Sequence, residues 1–267
     1  MVQMNTVALP HWAPLEACSP TTRTRLAIAA RSWSLPAGEP LLTAGLEAEG
    51  LLLLSQGVVR IFHTLAEDCQ FTVKLVRAPG SLGLIEVVRG TCSAASVEAL
   101  TPVEGVHIPA GVLREALAED NAFTLAALGD MAARFEGTIH HCRALGFETC
   151  EQRLIRVLLE YAEHFGRPCD EGVLVRYPLT RQRLALEIGA VRRSVDRGLA
   201  ALVDERLLSV SSKGWKVLHD LEALRARLPP GPSISKNNRS KARPPEAPGH
   251  RGYHLLRLHS GALGRHA

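Results

Sequence analysis

One stretch of thirty residues, LTRQRLALEIGAVRRSVDRGLAALVDERLL from Leu179 to Leu208, constrains this chain more than any other. Leu184, Ala185 and Ile188 recur at helical spacing, and Val195, Leu199 and Leu202 do so again after Gly189. Two short amphipathic helices fit that pattern, because a glycine takes the left-handed conformation that joins two helices at a steep angle. Thr180 stands where it caps the first helix. On the second, Arg192, Arg193, Ser194 and Arg197 fall on the outward side, towards the N-terminal half. A recognition helix meets base edges there, and an arginine bonds guanine O6 and N7 together. Thr180, Arg181 and Gln182 are placed near phosphates. LLSV and WKVL then flank SSKG (Ser211 to Gly214), which predicts a β-hairpin, the wing. A helical hairpin with a merely solvated basic face accounts for the helices but not for a wing at this distance. The stretch is expected to bind double-stranded DNA.

Charge locates that activity. The net charge is +4, yet from Pro229 onward the chain holds seven Lys/Arg and one acidic residue, Glu246. The remainder has 24 basic and 26 acidic residues, about −2. A nucleic-acid surface on it must therefore be a local patch. The tail 229–267 is rich in Pro, Gly and Ser and basic, so it is expected to be disordered and to add salt-sensitive DNA affinity. No run approaches the roughly 18 apolar residues of a membrane span, and MVQMNTVALPHW lacks the form of a secretory signal. A cytoplasmic location without membrane contact is expected. The six cysteines are scattered, with no CxxC pair, which points to reduced thiols and to no metal site.

Upstream the texture changes twice. Residues 1–30 form a lead-in with a helix from about Pro20 to Ala30. From Trp33 to Pro109 short apolar runs are broken by glycines, as in GEPLLTAG, GLLLLSQGVVRIF and FTVKLVRAPGSLG. Strands with such turn signals predict a β-roll of jelly-roll type over 31–120. The pattern then becomes helical. Leu128, Met131, Phe135, Ile139, Cys142 and Leu145 form one narrow stripe, expected to be the seam of a homodimer along a helix over 121–146. Thr149 and Gln152 fit a capping box that opens a further helix, with Leu154, Val157, Leu158 and Tyr161 inward. Residues 147–228 form the DNA-binding domain. The fold class is α+β: roll, long helix, winged helix-turn-helix.

This order of parts resembles the superfamily of the cyclic-AMP receptor protein and the fumarate–nitrate regulator, over roughly Leu35 to Leu224. The most specific segments are LTRQRLALEIGAVRRSVDRGLAAL and the loosely matched GxVxxF/Y at Gly57, Val59 and Phe62. The resemblance implies a homodimeric transcription regulator on an inverted repeat, with RNA polymerase as a further partner. Arg192 and Arg197 match arginines that contact guanine and backbone. Arg193 stands where glutamate is frequent and Val191 where a phosphate-touching serine is common. A donor has thus replaced an acceptor for cytosine N4, so the half-site is expected to differ.

The effector is less legible. In cyclic-nucleotide-binding relatives a Gly-Glu pair, and later an Arg with Ser or Thr, cradle the phosphate. Alignment on Val97-Glu98-Ala99 places Ser93 and Ala94 at the latter pair and Leu84 after Gly83, with Glu86 and Arg89 near. Without the arginine a buried phosphate keeps an uncompensated charge, which costs several kcal/mol, so cyclic AMP is not the expected ligand. Thr138 matches a position that contacts adenine. Only Cys18 precedes the roll, which excludes a four-cysteine iron–sulfur cluster there. Haem remains open as a cofactor, with His63, His107, Cys92, His140 and His141 as candidate ligands, and Cys142 as a redox candidate. No GxSxG, Walker loop, HExxH or paired-carboxylate scaffold occurs, so no enzyme is expected. The rival reading is a cyclic-nucleotide-binding-like signalling module that acts through protein partners.

Overall fold

The computed structural model describes residues 7–66, 69–211 and 214–229. Apart from Pro229, the expected disordered tail lies outside the described residues.

The lead-in forms α1 (Pro14–Ala17) and α2 (Pro20–Ala29). Ser19 caps α2, its Oγ accepting the Thr22 N–H at 3.2 Å, and Pro20 occupies the first turn, where no N–H is needed. The roll follows as β1 (Arg31–Leu35), β2 (Pro40–Leu42), β3 (Gly50–Gln56), β4 (Val58–Ala66), β5 (Cys69–Arg77), β6 (Gly80–Leu82), α3 (Leu84–Arg89), β7 (Ser96–Ala99) and β8 (Val103–Pro109). Its two antiparallel sheets have the orders β1-β8-β3-β6 and β2-β7-β4-β5. The uninterrupted run Leu51 to Leu54 is explained by burial on both faces. Leu51 and Leu53 join a cluster with Trp12 of the lead-in and with Leu26, Leu113 and Phe123 from the helices. Leu52 and Leu54 join Val59, Val97 and Ala99 between the sheets. A strand covered on both sides needs no polar alternation.

Two helices continue from the roll, α4 (Ala110–Glu119) and the 27-residue α5 (Asn121–Phe147). Asp120 caps α5. One side of α5 is committed to the roll: Phe123 and Ala127 are buried, Phe123 lies edge-on to Trp12 at 5.7 Å, and Arg134 bonds Asp130 and the Ser81 carbonyl, each at 2.9 Å. Met131, expected in the dimer seam, packs on this side instead, against the Trp12–Phe123 cluster. Its spacing of three from Leu128 turns it towards the roll.

The capping box stands as expected. Thr149 Oγ1 accepts the Gln152 N–H at 3.2 Å, and Gln152 Oε1 accepts the Thr149 N–H at 3.0 Å. It opens α6 (Cys150–Phe165). Beyond come β9 (Gly166–Cys169), β10 (Gly172–Val175), α7 (Arg181–Glu187), α8 (Arg192–Asp204), β11 (Leu208–Val210), β12 (Lys216–Leu218) and α9 (Leu221–Ala226). The strands join in the order β11-β12-β10-β9. The segment after α6 is therefore a hairpin paired to the wing, not only the helix stop suggested by Gly166, Pro168 and Gly172. One core gathers Leu154, Ile155, Leu158, Tyr161, Leu184, Val195, Leu199 and Leu202, and Leu75 from strand β5 of the roll is buried within it. Among the described residues no helix is long and apolar enough to cross a membrane.

Candidate nucleic-acid interface

Helix α7 starts where the Thr180 hydroxyl accepts the Arg183 N–H at 3.1 Å. Leu184 and Ala185 hold it in the core, and Ile188 is buried just past its end. Gly189 has φ +60°, the left-handed value the turn requires, and the Ala190 N–H reaches the Ala185 carbonyl at 2.9 Å. On α8, Val195, Leu199 and Leu202 are buried, which turns Arg192, Arg193 and Arg197 to solvent. No carboxylate pairs with these three arginines among the described residues. Arg guanidinium groups stay charged at any relevant pH, so the helix presents a fixed cationic face. Ser194 is half-buried rather than fully outward. Thr180 and Gln182 are exposed. Arg181 is also exposed, but its Nε lies 2.7 Å from Asp196 Oδ1, an ion pair that clips the start of α7 to α8.

Two supports of this face escaped the sequence reading. Lys216, buried at the base of the wing, donates to the carbonyls of Leu179 at 3.3 Å and Gly214 at 3.1 Å. Burial, then the nearby Arg181 charge, holds its ammonium pKa below the ordinary value. Behind α7, Glu187 accepts from Tyr161 at 2.6 Å and from Arg183 Nε at 3.2 Å. Burial drives the Glu187 carboxyl up, and those two donors oppose it. A charged side chain buried on a helix, as Glu187 is, or on a strand, as Lys216 is, gives no periodic signal, so neither support was visible in the pattern.

The outward side of α5 carries exposed apolar groups: Leu128 at 60%, Phe135 at 67% and Ile139 at 51% relative exposure. Leu125, at 62%, extends the same stripe by one turn and was not anticipated, although its spacing of three from Leu128 carries the signal. Cys142 is exposed beside the stripe and Leu145 lies at its margin.

The residues expected around an effector have separate engagements. Leu84, at the start of α3, is buried in the hydrophobic core with Leu51 and Val87. Ser93 is buried, its Oγ donating to the Ala95 carbonyl at 2.8 Å and lying 3.5 Å from Glu86 Oε1. Ala94 and Arg89 are exposed. The Thr138 hydroxyl bonds back to the Arg134 carbonyl on its own helix at 3.1 Å. Of the haem candidates, His63 and Cys92 are exposed and the His140 side chain lies outside the described residues. His107 Nε2 and His141 Nε2 are buried without a hydrogen-bond partner among the described residues. His141 sits 6.0 Å from the Phe71 ring, and burial, followed by the Arg156 charge, lowers its pKa. Among the described residues no three His, Cys, Asp or Glu side chains group to hold a metal ion.

Comparison with known proteins matches both halves. Residues 152–227 match the Crp-like helix-turn-helix domain, and residues 32–120 match the cyclic nucleotide-binding domain. The global nitrogen regulator of Nostoc sp. (strain PCC 7120) is 28% identical over 168 residues, 62% of this chain and 75% of that protein. A CRP-like cAMP-activated global transcriptional regulator of Mycobacterium tuberculosis is 22% identical over 192 residues, 72% of this chain and 85% of that protein. The structure of FixK2 from Bradyrhizobium japonicum superposes with a TM-score of 0.64 at 19% identity, covering 76% of this chain and 98% of that one.

Proposed function

The chain belongs to the Crp/Fnr superfamily of transcription regulators, and on that premise we propose that it acts as a homodimer placing two α8 helices in successive major grooves of an inverted repeat. The observation that carries this is the face of α8: three arginines turned to solvent, opposite a side buried in the core. Phosphate contacts from Thr180 and Gln182 would set the register, and Arg192, Arg193, Ser194 and Arg197 would read base edges. Arg181 contributes by holding α7 against α8 through Asp196. The exposed stripe of α5 supplies the dimer surface.

An effector of the roll acts in this scheme by favouring one arrangement of the paired helices, which requires that it bind that arrangement more tightly. Cyclic AMP is not the proposed effector, because Ser93 and Ala94 offer no guanidinium to a cyclic phosphate. RNA polymerase is proposed as the partner on the promoter.

The test is selection of an operator from random duplexes, followed by titration of the wild type and Arg197→Ala. Loss of a bidentate base contact from both half-sites weakens operator binding by about 30-fold or more and relaxes preference at one position of each half-site. Equal operator affinity of the two proteins would remove α8 as the reading helix. Selection of no sequence at all would favour the rival module that acts through protein partners.

A further inference from the structure

A second concentration of arginines lies away from α8. Where the roll meets the segment after α6, a cleft of about 590 Å3 is lined by Arg77, Arg167 and Arg176, with Gln56, Gly57 and His164. Arg77 ends strand β5 of the roll, Arg167 lies on edge strand β9, and Arg176 follows β10. Among the described residues lining the cleft there is no carboxylate. The contacts that orient these guanidinium groups are to a carbonyl and an aromatic ring, not to a carboxylate. Arg77 donates to the Glu163 carbonyl at 3.1 Å, and Arg176 lies over the Trp215 ring at 5.2 Å. Arg167 is exposed and has no ion pair among the described residues. His164 Nδ1 is buried and has no hydrogen-bond partner among them. Gly57 forms the floor with φ +93°. A Cβ there would stand 2.4 Å from the Pro102 carbonyl oxygen, so only glycine leaves this backbone in place.

Three full positive charges in one concavity, on a chain body of net charge about −2, call for an explanation. The carboxyl end of α6 contributes about half a negative charge and the Glu163 carboxylate acts on His164 from beside the cleft, which together do not balance them. Like charges are destabilising when gathered, and walls of low dielectric focus their field on whatever enters. Guanidinium groups match the paired oxygens of phosphate, and the volume lies within the roughly 300–1,000 Å3 range of small-molecule sites.

We infer that this cleft binds a small phosphate-bearing anion, with Arg77 contacting it from the roll and Arg167 closing the outer edge. The anion bridges the roll and the winged helix. A consequence for operator affinity rests on the proposed DNA-binding reading, but binding of the anion does not. A phosphate of duplex DNA could supply the same chemistry, and the experiment separates the two sources.

The full chain is titrated calorimetrically with inorganic pyrophosphate, and with sulfate as a control, at constant ionic strength and without DNA. The wild type is compared with Arg167→Ala, Arg77→Gln and Arg31→Ala, each checked for an unchanged circular dichroism spectrum. The expected result is one saturable pyrophosphate per chain, weakened about tenfold or more in the first two variants, as for loss of a charge-assisted hydrogen bond. Arg31→Ala, at an exposed position of β1 in the roll, should bind like the wild type. The inference is overturned by absence of saturable binding. It is equally overturned if Arg167→Ala and Arg77→Gln keep wild-type affinity, or if Arg31→Ala alone loses it. A fall in duplex affinity of Arg167→Ala, with no pyrophosphate bound by the wild type, would assign the arginines to DNA backbone and also overturn it. Failure of the DNA-reading proposal appears separately, in the Arg197→Ala operator titration.

Discussion

Asp120 joins two ends of the fold with one carboxylate. Oδ2 accepts the Ser19 N–H at 2.8 Å, at the head of α2, and Oδ1 accepts the Phe123 N–H at 3.1 Å, in the first turn of α5. The bonds from Ser19 and then Phe123, with a smaller one from Thr22, hold this carboxyl far below its ordinary value of 3.8. A carboxylate whose folded pKa is depressed stabilises the fold above its unfolded value, and that contribution is lost as pH falls through and below it. Asp120→Asn keeps a capping side chain but removes the charge. The variant should be less stable than the wild type in urea at pH 7, and the difference should shrink as pH drops from about 5 towards 3. A difference that stays constant with pH would mean that the charge of Asp120 is not what holds Ser19. By contrast, Arg192, Arg193 and Arg197 are turned outward with no ion-pair partner among the described residues, so substitution there should leave unfolding unchanged while altering DNA affinity.

The elements show what periodicity can and cannot reveal. The stripe on α5 was legible because an apolar side chain every three or four residues marks a face. Which of two faces a given residue joins is decided by what packs beside it, and the roll captured Met131 through Trp12 and Phe123. Likewise the two helices of the DNA-reading unit follow from Gly189 and the buried triads on either side. The hairpin β9–β10 was missed because Pro168, which stops a helix, also sits on an edge strand where no ladder N–H is needed. Lys216 and Glu187 were missed because burial of a charged group depends on partners from elsewhere in the chain. For α5 itself, Phe135→Asp should yield a folded monomer. Burial of a phenylalanine from each chain is worth about 1.5–3 kcal/mol, so the dimer constant should rise about 100-fold or more. Light scattering and sedimentation check this, and a variant that stays dimeric at micromolar concentration would place the seam elsewhere.

Across the whole molecule the roll and the DNA-reading unit share side chains. Leu75, on a roll strand, is buried among Leu158, Tyr161 and Leu184. Its N–H faces Glu160 at 3.4 Å, and Glu98 of the roll lies 3.6 Å from Arg183 on α7. That half-buried pair, at 3.6 Å, lies beyond hydrogen-bond reach and holds less than the buried leucine. Leu75→Ala should cost about 2–5 kcal/mol and convert one calorimetric transition into two, because the cavity opens where the two cores meet. A single transition at reduced temperature would mean that other contacts suffice to couple them. The outward stripe of α5 has a different reach. Its side chains would be covered in the proposed dimer, and in that dimer part of the stability of the fold would come from a second copy. Each tenfold dilution then withdraws about 1.4 kcal/mol from association. In such a dimer expression level would become an input in its own right: scarce chains would be both fewer and less firmly folded, and occupancy of a two-site operator would fall faster than the number of molecules.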